Sequence, residues 1–164
     1  MQAMDTIRHW QIDQLRKDMA VLGHIVKHTS QEDATTYRDG GEGWTALEAL
    51  CHLRDFEAVF FERAQITLAQ AMGDLPFPDH EALVTEKNYN AQSLDVVYTE
   101  WAQTRREYIE FLQGISGDDT WEKPGKHPTR GPFTLNDQLF LTVWHDTNHI
   151  EQIVRTLDEK QSGS

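Results

Sequence analysis

Ile12, Leu15, Met19, Leu22 and Val26 recur at steps of three, four, three and four, the spacing that keeps one face of an α-helix apolar. This predicts an amphipathic helix from Asp5 to about Lys27, followed by a polar, Gly-rich loop over 29–43. A second helix opens at Thr45, where Thr45 and Glu48 have the spacing of a capping box; in that motif each side chain satisfies a backbone N–H at the other end. Its apolar residues, from Leu47 through Phe56 and Phe60 to Ile66, spread around most of the circumference, so it should be largely buried until it ends near Ala71, ahead of Gly73, Pro76 and Pro78. Residues 73–92 form a connection with room for a short helical turn after Asp79. Ser93 is placed to cap a third helix to about Gln113, with Leu94, Val97, Trp101, Tyr108 and Leu112 inward and Gly114 and Gly117 after it. A long loop over 116–132 leads to Thr134 and Asp137, a second capping pair, and to a last helix ending near Leu157. With no strand pattern and no internal repeat, the expected fold class is all-α: a four-helix bundle over 1–158 with a frayed tail at 159–164.

Composition narrows the function classes. The length, 164 residues, suits one domain with a real core, and no apolar run is long enough to cross a bilayer. The N-terminus lacks a signal-peptide hydrophobic region, and the lone Cys51, in an apolar turn, reads as core filling and fits a reducing cytoplasm. Lys plus Arg at 15 against Asp plus Glu at 27 gives a net charge of −12, which repels nucleic acid and anionic membranes. Neither is expected as a partner. The densest basic stretch, Lys123–Arg130, is interrupted by two prolines and a glycine.

Candidate chemistry lies in the last helix. His145 and His149 stand four residues apart in a run without Gly or Pro, so a helix stacks them one turn apart. That geometry can offer two neutral nitrogens to one metal ion, and it also describes a surface or capping pair. His149 falls roughly 90° and His145 roughly 130° from the centre of the apolar stripe formed by Leu135, Leu139, Val143, Ile150, Ile153 and Leu157. Gln138, Thr142 and Gln152 share that shoulder, which suits a groove between helices. Asp146 projects near the middle of the stripe and needs a partner if buried. It can orient a histidine, hold a basic side chain, or touch water at a groove edge. His52 lies between Phe56 and Val59 on the second helix, and periodicity leaves open whether it points inward or is a half-buried, hydrogen-bonded residue. His24 and His28 lie roughly 160° from the seam of the first helix and should face water.

Two metal motifs are excluded. The His-Glu-x-x-His of zinc proteases would need Glu where Asp146 stands, and no paired Glu-x-x-His motifs of a di-iron bundle occur. The order of parts nevertheless has a precedent. Gly43-Trp44-Thr45 with His52-Leu53 opens the second helix, and Thr134-Leu135, Leu139, His145, His149 and Gln152-Ile153 punctuate the last. Over essentially the whole chain this resembles the DinB-like superfamily of metal-binding four-helix bundles, which includes YfiT-type proteins read as hydrolases and the bacillithiol transferases. The resemblance implies a three-histidine site of His52, His145 and His149 with open positions for water or substrate, and a divalent ion (zinc, nickel or manganese) that lowers the pKa of a bound water or thiol. It implies hydrolysis or transfer of a low-molecular-weight thiol such as bacillithiol or mycothiol to a small molecule. Lys123, Lys126, His127 and Arg130 are candidate contacts for such a thiol. A homodimer through exposed helix faces fits the same resemblance. The alternative is a metal- or ligand-binding bundle without turnover, serving in a stress response.

Overall fold

The computed structural model describes residues 2–162. Four long helices make the bundle: α1 (Gln2–Lys27), α3 (Ala46–Ala69), α5 (Leu94–Gln113) and α7 (Leu135–Ser162). Three short helices lie in the connections: α2 (Gln31–Thr36), α4 (His80–Glu86) and α6 (Asp118–Trp121). Both capping boxes form. Thr45 Oγ1 accepts from Glu48 N at 3.1 Å while Glu48 Oε2 accepts from Thr45 N at 2.9 Å. Thr134 Oγ1 accepts from Asp137 N at 3.1 Å while Asp137 Oδ2 accepts from Thr134 N at 2.9 Å. Ser93 occupies the N-cap of α5 without a side-chain cap bond. Gln31 Oε1, from α2, instead accepts from Leu94 N at 2.8 Å, a tertiary substitute that local spacing cannot reveal.

Helix directions follow from cross-helix contacts. Arg8 Nε donates to Asn136 Oδ1 at one end of the α1–α7 seam, and Leu22 and Ile153 share a core cluster at the other, so these two helices run parallel. Arg54 with Glu100, and Phe61 with Tyr108, make α3 and α5 parallel. Tyr98 with Met19 and Arg105 with Leu15 set α5 antiparallel to α1. His52 with His145 and Thr67 with Gln138 set α3 antiparallel to α7. The order is therefore up-down-down-up. The α1–α3 and α5–α7 connections cross the ends of the bundle, and the α3–α5 connection must return along its length. That crossover over 70–93 passes beside the histidines.

The long loop over 116–132 contains structure that the sequence pattern does not reveal. Pro124–His127 (β1) and Gly131–Thr134 (β2) pair antiparallel in register His127 with Gly131, and Gly131 takes a left-handed φ of 74°. Such a residue commonly closes a three-residue hairpin loop. The start of the crossover adds to this ribbon through Met72 N to Pro124 O at 2.6 Å and Leu75 N to Lys126 O at 3.0 Å. α7 also runs to Ser162, past the expected end at Leu157, so 159–162 continue the helix; Gly163 and Ser164 lie outside the described residues.

The core forms two apolar clusters, one around Leu22, Leu50, Leu53, Trp101 and Ile153, the other around Leu15, Phe60, Tyr108, Leu112 and Leu139. Between Trp101 and Tyr108 on α5 lies Arg105, fully buried. Its Nε and Nη2 donate to Glu57 at 2.7 and 2.5 Å, and its Nη1 donates to Asp146 Oδ2 at 2.6 Å. Nη1 also reaches Leu15 O at 3.4 Å, so this one guanidinium touches all four long helices. Asp146 thus holds a basic side chain.

Candidate metal centre

The second turn of α3 places His52 inward, and it is 4 % exposed. From α7, His145 and His149 reach across to it, both half-buried. One ring nitrogen from each of the three lies within 4.8 Å of the others, a set that could hold a metal ion. His52 Nε2 and His145 Nε2 are 2.9 Å apart. Two nitrogen lone pairs at that separation repel unless a proton or a cation lies between them, and neutral imidazoles are the preferred donors for borderline divalent ions.

Burial keeps the rings neutral. It pushes His52 down to about 3, with His149 and His80 adding to the effect. His145 is lowered well below its ordinary 6.5 by burial and then by its two histidine neighbours, and His149 is lowered by burial against an opposing hydrogen bond from Gln152. That bond, His149 Nδ1 to Gln152 Oε1 at 2.8 Å, turns Nε2 of His149 toward the other rings. Gln152 Nε2 in turn donates to Asp39 Oδ2 at 3.2 Å, and Arg155 grips both oxygens of Asp39. The buried Nδ1 atoms of His52 and His145 have no hydrogen-bond partner among the described residues.

The three rings line an open cleft of about 510 Å³. Trp44 stacks on His149 at 6.1 Å between centroids and lies 5.0 Å from His52, while Phe56 packs 4.4 Å from His52. The crossover supplies the facing wall: Phe77, His80 and Glu81. His80 brings a fourth imidazole 5.9 Å from that of His52. It escapes sequence reasoning because it stands alone in a seven-residue helix whose one local signal is the Asp79 cap.

Other sequence candidates fall elsewhere. Asp146 faces Arg105 beneath the cleft, with no hydrogen bond to a site histidine among the described residues, so it does not orient one directly. Lys123, Lys126, His127 and Arg130 do not line the cleft. Lys126 pairs with Asp74 at 3.3 Å, His127 is buried behind Phe77, and Arg130 lies over Phe133. His24 on α1 and His28 just past its end are exposed, and Cys51 is fully buried, its thiol pushed up to about 12 by that burial.

Fold and site together define a helical bundle with a histidine-lined lateral cleft. The chain belongs to the DinB superfamily, whose family model matches residues 11–153. A protein of Oceanobacillus iheyensis, named provisionally as a metal-dependent hydrolase, is 20% identical over 136 residues, covering 83% of this chain and 77% of that protein. Among solved structures, YfiT from Bacillus subtilis, described as a probable metal-dependent hydrolase with an unusual four-helix bundle topology, superposes with a TM-score of 0.85. The match covers 94% of this chain and 87% of that one at 24% identity. The likeness establishes the fold.

Proposed function

We propose that this protein is a metal-dependent hydrolase of small molecules, with a divalent ion (zinc, nickel or manganese) held by His52, His145 and His149. The observation that carries the reading is the convergence of three imidazoles, kept neutral by burial, on the wall of an open cleft. Three nitrogen donors suit a borderline divalent ion and leave coordination positions open. Such an ion, when bound, acidifies water and polarises a carbonyl. The chain's own residues do the rest. Gln152 fixes the ring of His149, Trp44 and Phe56 exclude water from the inner wall, and His80 stands at the cleft side where it can take or give a proton.

The relatives' names support hydrolysis as the reaction class. Transfer of a low-molecular-weight thiol finds less support, because a carboxylate-bearing thiol would want cationic contacts and, among the described residues, no Lys or Arg lines the cleft. The test is turnover of a panel of small esters and amides, beside a thiol–electrophile pair, by protein loaded with each of the three ions. Hydrolysis that disappears on chelation, and in a folded His149→Ala variant, is the expected result. Thiol consumption instead would make the protein a transferase, and no turnover with metal bound would make it a binding protein.

A further inference from the structure

The cleft carries a charge and shape signature of its own. Three aromatic rings, Trp44, Phe56 and Phe77, form its apolar walls, and Glu81 is its one carboxylate. Among the described residues no Lys or Arg lines it, and the nearest guanidinium, that of Arg63, is buried behind Phe77, in a protein of net charge −12. From these features we infer that the cleft takes an aromatic substrate that is uncharged or cationic at its outer end, and excludes anions; this rests on the hydrolase reading above.

Phe77 is the main support. It is 50% exposed, so one part of its ring is open to the cleft. It is nevertheless held firmly. Arg63, itself 2% exposed, donates from Nε to Pro76 O at 2.8 Å and places its guanidinium 5.8 Å from the Phe77 ring. His127 packs on the same ring at 5.0 Å. A buried cation and a hairpin histidine thus fix an aromatic residue at the cleft mouth, where a flat ligand group can stack on it.

Hydrolysis of an ester or amide breaks the bond from the carbonyl carbon to its leaving atom and forms a bond from that carbon to the oxygen of water. One proton of water goes to the leaving group and the other to solvent, leaving a carboxylate. At the outer end of the cleft, away from the histidines, a neutral or cationic group is tolerated or drawn in by Glu81 and the negative field, and an anionic group is disfavoured.

Binding separates this inference from turnover. Benzamide, benzamidinium and benzoate, equal in shape and different in charge, are titrated into metal-free and zinc-loaded protein by ligand-observed NMR. In the metal-free protein the first two should bind at least about tenfold more tightly than benzoate. Phe77→Ala should weaken both about fivefold or more, and Glu81→Lys should reverse the order of benzamidinium and benzoate. Benzoate binding as tightly as benzamide to the metal-free protein overturns the inference, as does indifference to Phe77→Ala or no binding by any of the three. If the binding order holds but neutral phenyl esters are not turned over by any loaded form, the ligand class stands and the hydrolase reading falls. If anionic esters are hydrolysed in preference to neutral ones, the ligand class falls and the hydrolase reading stands.

Discussion

His149 alone among the three site imidazoles has a polar side chain on its second ring nitrogen within the described residues, and that partner, Gln152, is itself held by Asp39. Outer partners of metal-binding histidines fix tautomer and ring orientation. Gln152→Leu should therefore lower metal affinity by about 10–100-fold, read by competition with a chromogenic chelator, while helix content stays unchanged. A second residue-level effect comes from Asp18, which is 4 % exposed, accepts one bond from Gln14 at 2.7 Å, and leaves Oδ2 without a partner. Burial, with help from the nearby Asp146 carboxylate, raises its pKa from 3.8 to about 6 against the Gln14 hydrogen bond. The folded state thus binds a proton more tightly than the unfolded chain, so this group lowers stability as pH rises from 3.8 to about 6 and keeps the full penalty above. Asp18→Asn should stabilise the protein by about 1 kcal/mol at pH 8, a gain that shrinks below about pH 6 and is absent near pH 3 in urea titrations. The three histidines have the opposite sign. Their depressed values make the metal-free protein lose stability as pH falls below 6.5.

At the scale of elements, the crossover over 70–93 forms the outer wall of the cleft, and Asp55 on α3 ties down its far end. Asp55 Oδ2 accepts from Tyr89 Oη at 2.6 Å and from Lys87 Nζ at 2.8 Å. Asp55→Ala should cost about 1–3 kcal/mol and speed hydrogen exchange over 79–92 while leaving the α1 amides protected. Much at this scale is legible in the sequence. The seams of α1 and α5, the capping boxes at Thr45 and Thr134 and the solvent-facing His24 and His28 all follow from helical period and cap chemistry. The hairpin is not legible, because Pro-Gly-Lys-His has neither alternation nor β-branched residues and its strand character comes from pairing with β2 and with the crossover. The inward turn of His52 is likewise hidden, since α3 is apolar around most of its surface and only its neighbours decide which flank faces the cleft. His80 belongs to the same category, delivered by a connection whose path depends on the helix order.

The molecule as a whole is organised by that order. A helical period specifies a face and leaves the neighbour open, so the up-down-down-up arrangement, and with it the crossover's passage beside the histidines, appears only in three dimensions. The need for a partner at Asp146 is readable from its place in an apolar stripe, but the partner is Arg105, forty-one residues away, which also binds Glu57. Burial works against the charge of Arg105, yet the two carboxylates hold its pKa above the usual guanidinium value. Arg105→Met should cost about 3–5 kcal/mol by denaturant unfolding, because it strands two buried carboxylates. Replacing all three (Glu57→Leu, Arg105→Met and Asp146→Leu) should recover most of that loss. Across this same bundle, His52 on α3 meets His145 and His149 on α7, and the three are proposed to act as one metal site. Elemental analysis of tag-free protein, wild type beside His52→Ala and His145→Ala, tests that most directly. Close to one divalent ion per chain is expected in wild type, and its loss in both variants with the fold intact. Wild-type protein that stays empty after dialysis against zinc, nickel and manganese, or variants that keep their metal, would contradict it.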